Sequence, residues 1–449
     1  MLTKKIKFTK INLINFFISF FPLSFLMGNL AININIILVC LLGLAIYRFE
    51  IFIVNQKILK YLIYSFFLYI VLITLIRNLP NLNLNDLYKD HIIKSFLFLR
   101  FLLLFLVINK LIEKENFNLN LFCLSCAFFS FVFAVDILVQ LTFGKDLIGN
   151  PRSKDHLSGF FGDELIGGSY VQKFSLFFIF FIFFRFLNRN NFKINFYKIS
   201  LFSFFLIIII LTGNRVSVLL YLFSVFTFFL IEKKFKEIFL FFLVFLAMIF
   251  LSLKYFSITD PQHTNSRYDH RVKNFYYESL EIVLKAPKLF YYGTLPNEEF
   301  GGIGRSGYLV HFNSGAQVFK KNKIFGGGLK SFRLNCQYGG DQTCNSHPHN
   351  YFLEILVDVG ILGMTMIYLI FFLATVNFLK FYNQNLNSRN RFLYIPFFLI
   401  TFFEFFPIRS SGSFFTTGNA IIIFLLLAIL MNITKLDSIK KLQLKSKKQ

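Results

Sequence analysis

Apolar residues occur along this 449-residue chain in long uninterrupted runs rather than at alternating positions. Many runs reach about 18 residues, which is the length needed to cross a hydrocarbon core of about 30 Å. Backbone groups in such a core have no water to bond, so each run is expected to form an α-helix. A membrane β-barrel would instead show alternating segments of about 10 residues.

The runs predict an all-α polytopic membrane protein with about twelve transmembrane helices. The predicted helices cover residues 11–28, 30–47, 58–76, 92–109, 119–143, 169–187, 197–212, 216–231, 237–256, 351–379, 392–406 and 416–434. The chain is therefore divided into residues 1–256 with helices one to nine, an extracytoplasmic loop at 257–350, residues 351–434 with the last three helices, and a basic tail at 435–449.

Composition agrees with this division and excludes a soluble multidomain protein. Apolar residues make up 56% of the chain, the mean hydropathy is +0.61 and only 16% of residues are charged. Phe is abundant and Trp is absent, so we interpret the Phe-rich stretches as lipid-facing or core residues rather than as a binding site.

The net charge of +24 reflects topology rather than nucleic-acid binding. With a cytoplasmic N-terminus, the cytoplasmic segments carry about three times as many Lys and Arg as the short outer loops. This positive-inside bias predicts that both termini are cytoplasmic. The excess also favours contact with anionic membrane lipids. We expect a multi-pass protein of a bacterial inner membrane whose functional face is periplasmic.

The long loop at 257–350 is predicted to be ordered and to contain short helices, because aromatic residues and apolar positions at helical spacing recur in it. In the predicted topology all seven histidines lie outside the cytoplasm, and imidazole is the usual proton-transfer group near neutral pH. They are His91, His156, His263, His270, His311, His347 and His349.

Cysteine usage fits an oxidising outer face. Cys336 and Cys344 flank a short polar stretch of the loop and are predicted to form a disulfide. Two free thiols are the alternative, and two Cys without a second pair are a weak zinc signal. The other cysteines lie within helices and are expected to be inert.

The densest polar segment stands at the junction of loop and helix, in HPHNYFLEILVDVGILG at 347–363. Pro348 disfavours helix before it, and Asn350 or His349 is placed where an Asn can cap free N–H groups. The first turn of that helix carries partial positive charge suited to a phosphate. Glu354 and Asp358 are four residues apart and share a helix face with Asn350.

This segment resembles the signature of the O-antigen ligase and O-antigen polymerase superfamily. Three further segments are similar to family motifs in the same order: SGFFGDELIGGSY at 158–170, LTGNRVSVLLYLF at 211–223 and KIFGGGLKSFRLNC at 323–336. The resemblance covers roughly residues 155–365, and the first 150 residues match by hydropathy alone.

The resemblance implies an inverting glycosyltransferase that needs neither metal nor cofactor. Its donor would be a glycan linked to a polyprenyl diphosphate, and its acceptor lipid A-core. His349 would be the catalytic base, with His347 beside it. Arg215, in a two-residue turn close to hydrocarbon, would bind the diphosphate through its planar guanidinium. Arg267 is favoured as the second diphosphate ligand; the other candidates for substrate contact are Arg271, Ser169, Tyr170, Asn350 and His311.

Three alternatives stay open. A polymerase would use the same donor and add repeat units to a growing glycan, so the His and Arg motifs do not separate it from a ligase. A twelve-helix transporter or flippase is the alternative from another class, and the charged residues Arg100, Asp136 and Glu404 inside apolar runs would then form a relay. His347 and His349 as a metal pair lack an evident third ligand.

Overall fold

The computed structural model describes residues 9–54, 56–83, 86–152, 156–164, 166–186, 192–244, 307–336, 346–386, 388–407 and 412–438. Helices make up 81% of the structure, and no strand occurs in these ranges. The predicted all-α class is therefore confirmed. Most of the predicted long loop, from residue 257 to residue 306, lies outside the described residues.

Fourteen α-helices are named here in chain order within the described ranges. They are α1 (Lys10–Ser19), α2 (Phe21–Leu26), α3 (Asn29–Tyr47), α4 (Lys57–Asn78), α5 (Asp86–Glu113), α6 (Leu119–Phe143), α7 (Gly167–Phe186), α8 (Phe192–Leu211), α9 (Arg215–Ile231), α10 (Gly307–Lys321), α11 (Phe332–Asn335), α12 (Tyr351–Gln384), α13 (Ile395–Glu404) and α14 (Thr417–Met431).

Six helices in the described ranges are long and apolar enough to cross a membrane, namely α3, α4, α5, α6, α7 and α12. Shorter apolar helices of 10–17 residues occur in α8, α9 and α14. The chain is therefore a multi-pass membrane protein by length and composition. The count of twelve spans stays a prediction, because residues 245–256 of the ninth span lie outside the described residues.

Two predicted helices are interrupted. The first is divided into α1 and α2 at Phe20, two residues before Pro22, which has no N–H to continue the hydrogen-bond ladder. The tenth, α12, is broken at Gly360, where φ is 65° and ψ is −172°. Left-handed backbone of this kind is accessible mainly to glycine, so Gly360 permits the break at this position.

The centre of the bundle is α14. Every residue from Ala420 to Met431 is buried, as expected for a helix that is apolar on all sides and surrounded by others. It packs against α3, α5, α12 and α13. The bundle thus places the end of α13 and the start of α14 next to the polar segment that begins α12.

The opposite end of α9, α12 and α13 is fixed by a charged cluster. Arg391 makes a bidentate contact with Glu232, with Nε and Nη2 at 3.0 and 2.8 Å from its carboxylate oxygens. The hydroxyl of Tyr382 donates to the same carboxylate at 2.6 Å. Bidentate Arg–carboxylate contacts are strong and geometrically specific, so this cluster holds the three helix ends in register.

Candidate active site

The turn between α8 and α9, residues 212–215, is called the Asn214 turn. Gly213 has a φ of 72°, and an added Cβ there would collide with Nδ1 of His156. The Asn214 side chain caps α9 by accepting from the Ser217 N–H at 3.3 Å. Arg215 follows as the first residue of α9 and is exposed. Burial, and then the charge of Arg215, lowers the pKa of His156.

The start of α7 packs against the same turn. An added Cβ at Gly168 would lie 2.5 Å from Oγ1 of Thr212 and 2.6 Å from Cβ of Asn214, so only glycine permits this approach. Ser169 is half-buried beside this contact. Tyr170 is 5% exposed, and its hydroxyl donates to the Pro22 carbonyl at 3.1 Å. The structure thus brings Ser169 towards Arg215 and places Tyr170 in the core.

Three imidazoles form what we call the histidine cluster: His311, His347 and His349. The ring centroids of His347 and His349 are 4.3 Å apart, and those of His311 and His349 are 4.9 Å apart. His311 reaches the cluster because α10 packs closely on the start of α12. An added Cβ at Gly315 would lie 2.5 Å from Leu353 and 3.0 Å from Pro348.

His349 itself has a φ of 53°, which is uncommon for a residue with a side chain and costs of order 1 kcal/mol or more. Next to it, Asn350 caps α12 by accepting from the Leu353 N–H at 2.9 Å, which confirms the predicted cap. The Asn350 amide also donates to the Pro407 carbonyl at 2.7 Å. Asn350 therefore anchors the histidine segment to the chain that follows α13.

The surroundings of His347 and His349 favour the neutral form of each ring. Burial, followed by the neighbouring rings of His347 and His311, lowers the pKa of His349 to about 4. The pKa of His347 is also lowered, chiefly by burial. Its Nδ1 lies 2.9 Å from Oγ of Ser346, and its Nε2 is buried with no hydrogen-bond partner among the described residues. Neutral imidazoles at physiological pH have a nitrogen that can accept a proton.

The residues 323–331, called the glycine-rich loop, fill the break in α12. Ile361 and Leu362 donate their N–H groups to Lys323 and Ile324, at 2.9 and 3.1 Å. In the other direction Gly327 and Gly328 donate to the carbonyls of residues 357 and 358 at 2.9 and 2.8 Å. An added Cβ at Gly326 would lie 2.5 Å from this backbone, so the glycines are needed for the close approach.

Two Lys–Glu pairs lie near the end of α13 and the start of α12; Lys173 and both carboxylates are buried, and Lys330 is half-buried. Lys330 Nζ is 3.2 Å from Glu354 Oε1, and Lys173 Nζ is 3.0 Å from Glu404 Oε1. They are linked through the segment before α14, because Ser413 Oγ donates to Glu354 at 2.5 Å and its carbonyl accepts from Asn419 at 2.9 Å. Asn419 Oδ1 in turn lies 3.4 Å from Lys173 Nζ.

These contacts join the two halves of the site. The Asn214 turn packs on the start of α7, α7 is paired through Lys173 with Glu404 of α13, and Asn350 bonds the carbonyl of Pro407 just after α13. Arg215 and the histidine cluster are therefore at the same end of the bundle.

Several predicted site features lie outside the described residues. Arg267 and Arg271, the candidates for the second diphosphate ligand, are among them, as are His263, His270 and Cys344. Cys336 is disulfide-bonded, whereas Cys40, Cys123 and Cys126 are not. The pairing of Cys336 with Cys344 itself stays a prediction.

The charged residues within apolar runs have separate partners. Arg100 donates to Oγ1 of Thr417 at 2.8 Å and lies over the Phe101 ring. Asp136 accepts from the N–H groups of Leu147 and Phe160 at 2.8 and 3.0 Å. Glu404 is paired with Lys173, so the three charged residues each contact a different part of the bundle. No group of three or more His, Cys, Asp or Glu with the spacing of a metal site occurs in the described ranges.

A family model described as O-antigen ligase matches residues 200–368 of the chain. This part of the chain is similar to the O-antigen ligase family. The matched segment is a little over a third of the protein and includes the Asn214 turn, the glycine-rich loop and the histidine cluster. The expected membership of the O-antigen ligase superfamily is confirmed there. The match starts after the 158–170 motif, so that part of the resemblance stays a prediction. No curated protein matches the chain.

Two basic residues of the candidate site, Lys330 and Lys173, were not predicted from the sequence. Lys330 lies in the segment 323–336, which resembles a family motif. The sequence of that segment does not indicate the left-handed φ of 63° at Lys330 or its contact with Glu354. Lys173 is a single charge in an apolar run, a signal of an intramembrane partner. Its partner Glu404 is likewise a single charge in an apolar run.

Proposed function

We propose that the protein transfers a glycan from a polyprenyl diphosphate carrier to an outer acceptor, lipid A-core, in an inverting reaction that needs no metal or cofactor. The observation that carries this proposal is the position of His349. A neutral, half-buried imidazole is fixed at the mouth of α12, at the end of the bundle that also presents Arg215. The similarity to the O-antigen ligase family supplies the reaction class.

The proposed chemistry follows from these groups. His349 accepts the proton of the acceptor hydroxyl while the hydroxyl oxygen attacks the anomeric carbon of the donor. The bond from that carbon to the diphosphate oxygen breaks on the opposite face, and the diphosphate leaves with the electron pair. Arg215 neutralises the charge that develops on the leaving group, and its exposed position at a helix start leaves the guanidinium within reach of a lipid headgroup.

The location of the site suits a lipid-linked donor. Residues on the outer surface of the helices are apolar and exposed, so the polyprenyl chain stays in the bilayer while its diphosphate reaches the ends of α9 and α12. We assign the site to the periplasmic face of the inner membrane, with both termini in the cytoplasm, on the charge bias of the loops. Arg267 or Arg271 would supply the second cation.

Reconstitution tests the proposal. The purified protein is placed in vesicles with a labelled polyprenyl diphosphate-linked glycan and lipid A-core, and products are separated by gel and mass spectrometry. Label on lipid A-core supports the ligase. Longer glycan on the carrier would instead identify a polymerase, which uses the same donor. Movement of the donor between leaflets without a new covalent bond would overturn glycosyl transfer in favour of a transporter.

A further inference from the structure

Lys330 contacts two separate segments of the chain through one ammonium group. Its Nζ lies 3.2 Å from Glu354 Oε1 on α12 and 2.5 Å from Oγ of Ser413, which precedes α14. Both carboxylate oxygens of Glu354 are used, since Ser413 donates to Oε1 at 2.5 Å and the Phe414 N–H donates to Oε2 at 2.6 Å. The glycine-rich loop is thereby tied to the helix that carries the histidine motif.

The backbone of Lys330 is held in a conformation that glycine would adopt more easily. Its φ is 63°, and a residue with a side chain persists there only when its surroundings impose it. Asp358 does so by accepting from the Lys330 N–H at 2.8 Å and from Oγ of Ser331 at 3.0 Å. A lysine in this position therefore has a side chain that the site uses.

The charges of this pair act on the histidine cluster. The carboxylate of Glu354 raises the pKa of both His347 and His349, and the ammonium of Lys330 lowers the pKa of His347. His311, from α10, acts in the same direction as Lys330. Among the described residues, these groups and the neighbouring ring of His347 are the charged or titratable groups that shift the pKa values of the two rings. The pair thus adds two opposing charges next to the rings.

We propose that Lys330 and Glu354 are a positioning pair, which fixes the glycine-rich loop and the segment before α14 against the histidine cluster and keeps the local charge balanced there. Neither residue touches the reacting atoms; the pair acts through His347 and His349. This inference rests on the proposed function, in which a neutral His349 accepts a proton. It goes beyond it by assigning to an ion pair on other elements, in addition to burial, a part in setting the proton affinity of the two rings.

Opposite charge changes test the pair. In Glu354→Gln the ammonium is left alone, which lowers the pKa of His349, so the acidic limb of the pH dependence of kcat/KM moves to lower pH. In Lys330→Met the carboxylate is left alone, and the limb moves to higher pH. A unit charge about 6–12 Å away, at an effective dielectric constant of about 20, gives shifts of about 1–2 pH units. The double variant restores the balance, so its limb returns towards that of the wild type.

Two matched variants control for trivial effects. Lys323→Met makes the same substitution at an exposed side chain of the same loop and leaves the limb unchanged. Lys330→Arg keeps the positive charge, so its limb stays near that of the wild type even if its turnover falls. Loss of activity in both single variants with no opposed movement of the limb would overturn the proposal, because a purely structural role predicts that result.

A second readout does not depend on glycan transfer. Diethyl pyrocarbonate reacts with neutral imidazole, so its rate of reaction at His349, followed by peptide mass spectrometry from about pH 2.5 to pH 7, reports the proton affinity of that ring. The rate profile should shift down in Glu354→Gln and up in Lys330→Met. If the wild type transfers no glycan but these shifts occur, the proposed function fails and the pair stands. If the wild type transfers glycan but the reaction profiles of the two variants do not shift, the proposed function stands and the positioning pair fails.

Discussion

The starts of α9 and α12 are built on the same plan with one difference. Each helix is capped by an Asn side chain, Asn214 or Asn350, and each cap follows a residue with positive φ. At α9 that residue is Gly213, and at α12 it is His349. Glycine adopts such a φ without cost, whereas His must be held there by its neighbours. His349 therefore has a side chain at a position where the backbone conformation favours glycine.

The residue after each cap differs as well. Arg215 places a positive charge at the first position of α9, where the partial charge of the helix is also positive, which is unfavourable for the helix alone. Tyr351 at the start of α12 is buried. One helix start therefore presents a cation to solvent and the other presents a strained imidazole. Each has a feature that helix stability does not explain, and these are the two groups that the proposed transfer uses as diphosphate ligand and base.

Substitution of His349 should have the largest effect on glycan transfer of all the changes at the two helix starts. His349→Gly should reduce glycan transfer by a factor of about 10² or more, the scale of a lost general base. It should also stabilise the fold by about 1 kcal/mol, because glycine removes the backbone strain. His349→Ala should lose transfer equally without the gain in stability. Transfer assays and thermal unfolding in detergent measure both, and a fully active glycine variant would exclude His349 as the base.

Arg215→Lys should lower transfer by about 10-fold, because a point charge does not reproduce the planar fork that binds two diphosphate oxygens. The measurement is kcat/KM with a labelled donor, and protein abundance in the membrane serves as the control. A variant with the activity of the wild type would remove Arg215 from the proposed diphosphate site.

Gly213→Ala tests the glycine at the start of α9, which occupies the position equivalent to that of His349 at the start of α12. Alanine should destabilise the protein by about 1 kcal/mol through its backbone alone, and by more because its Cβ collides with His156. Gly144→Ala is the matched control, since Gly144 has a φ of 74° with nothing within 4 Å of an added Cβ. The difference in unfolding midpoint isolates the His156 contact, and equal midpoints would show that His156 moves aside freely.

The two caps should differ by a smaller amount. Asn350→Ala loses a cap bond of 2.9 Å and the bond to Pro407, and should destabilise the protein by about 1–2 kcal/mol. Asn214→Ala loses a cap bond of 3.3 Å and should cost about 0.5–1 kcal/mol. Thermal unfolding of both variants gives the order. A reversed order would mean that the Asn214 turn, rather than the start of α12, depends more on its cap.

The sequence by itself determined the helical class, because long apolar runs have one way to satisfy their backbone in a membrane. It also determined the cap at Asn350 and the resemblance of the histidine segment to the O-antigen ligase superfamily, since both depend on local spacing. Helix ends such as those of α6 and α9 were placed to within about one residue, where an Asn or Gly marks them.

Tertiary structure decided the rest, because it depends on pairs of residues far apart in the chain. Nothing local shows that His311 reaches His349, that Lys173 pairs with Glu404, or that α12 breaks at Gly360 to receive the glycine-rich loop. Nor does spacing show that residue 330 is left-handed and bound to Glu354. Each of these contacts compensates a cost, of strain or of buried charge, which arises only once the helices have packed.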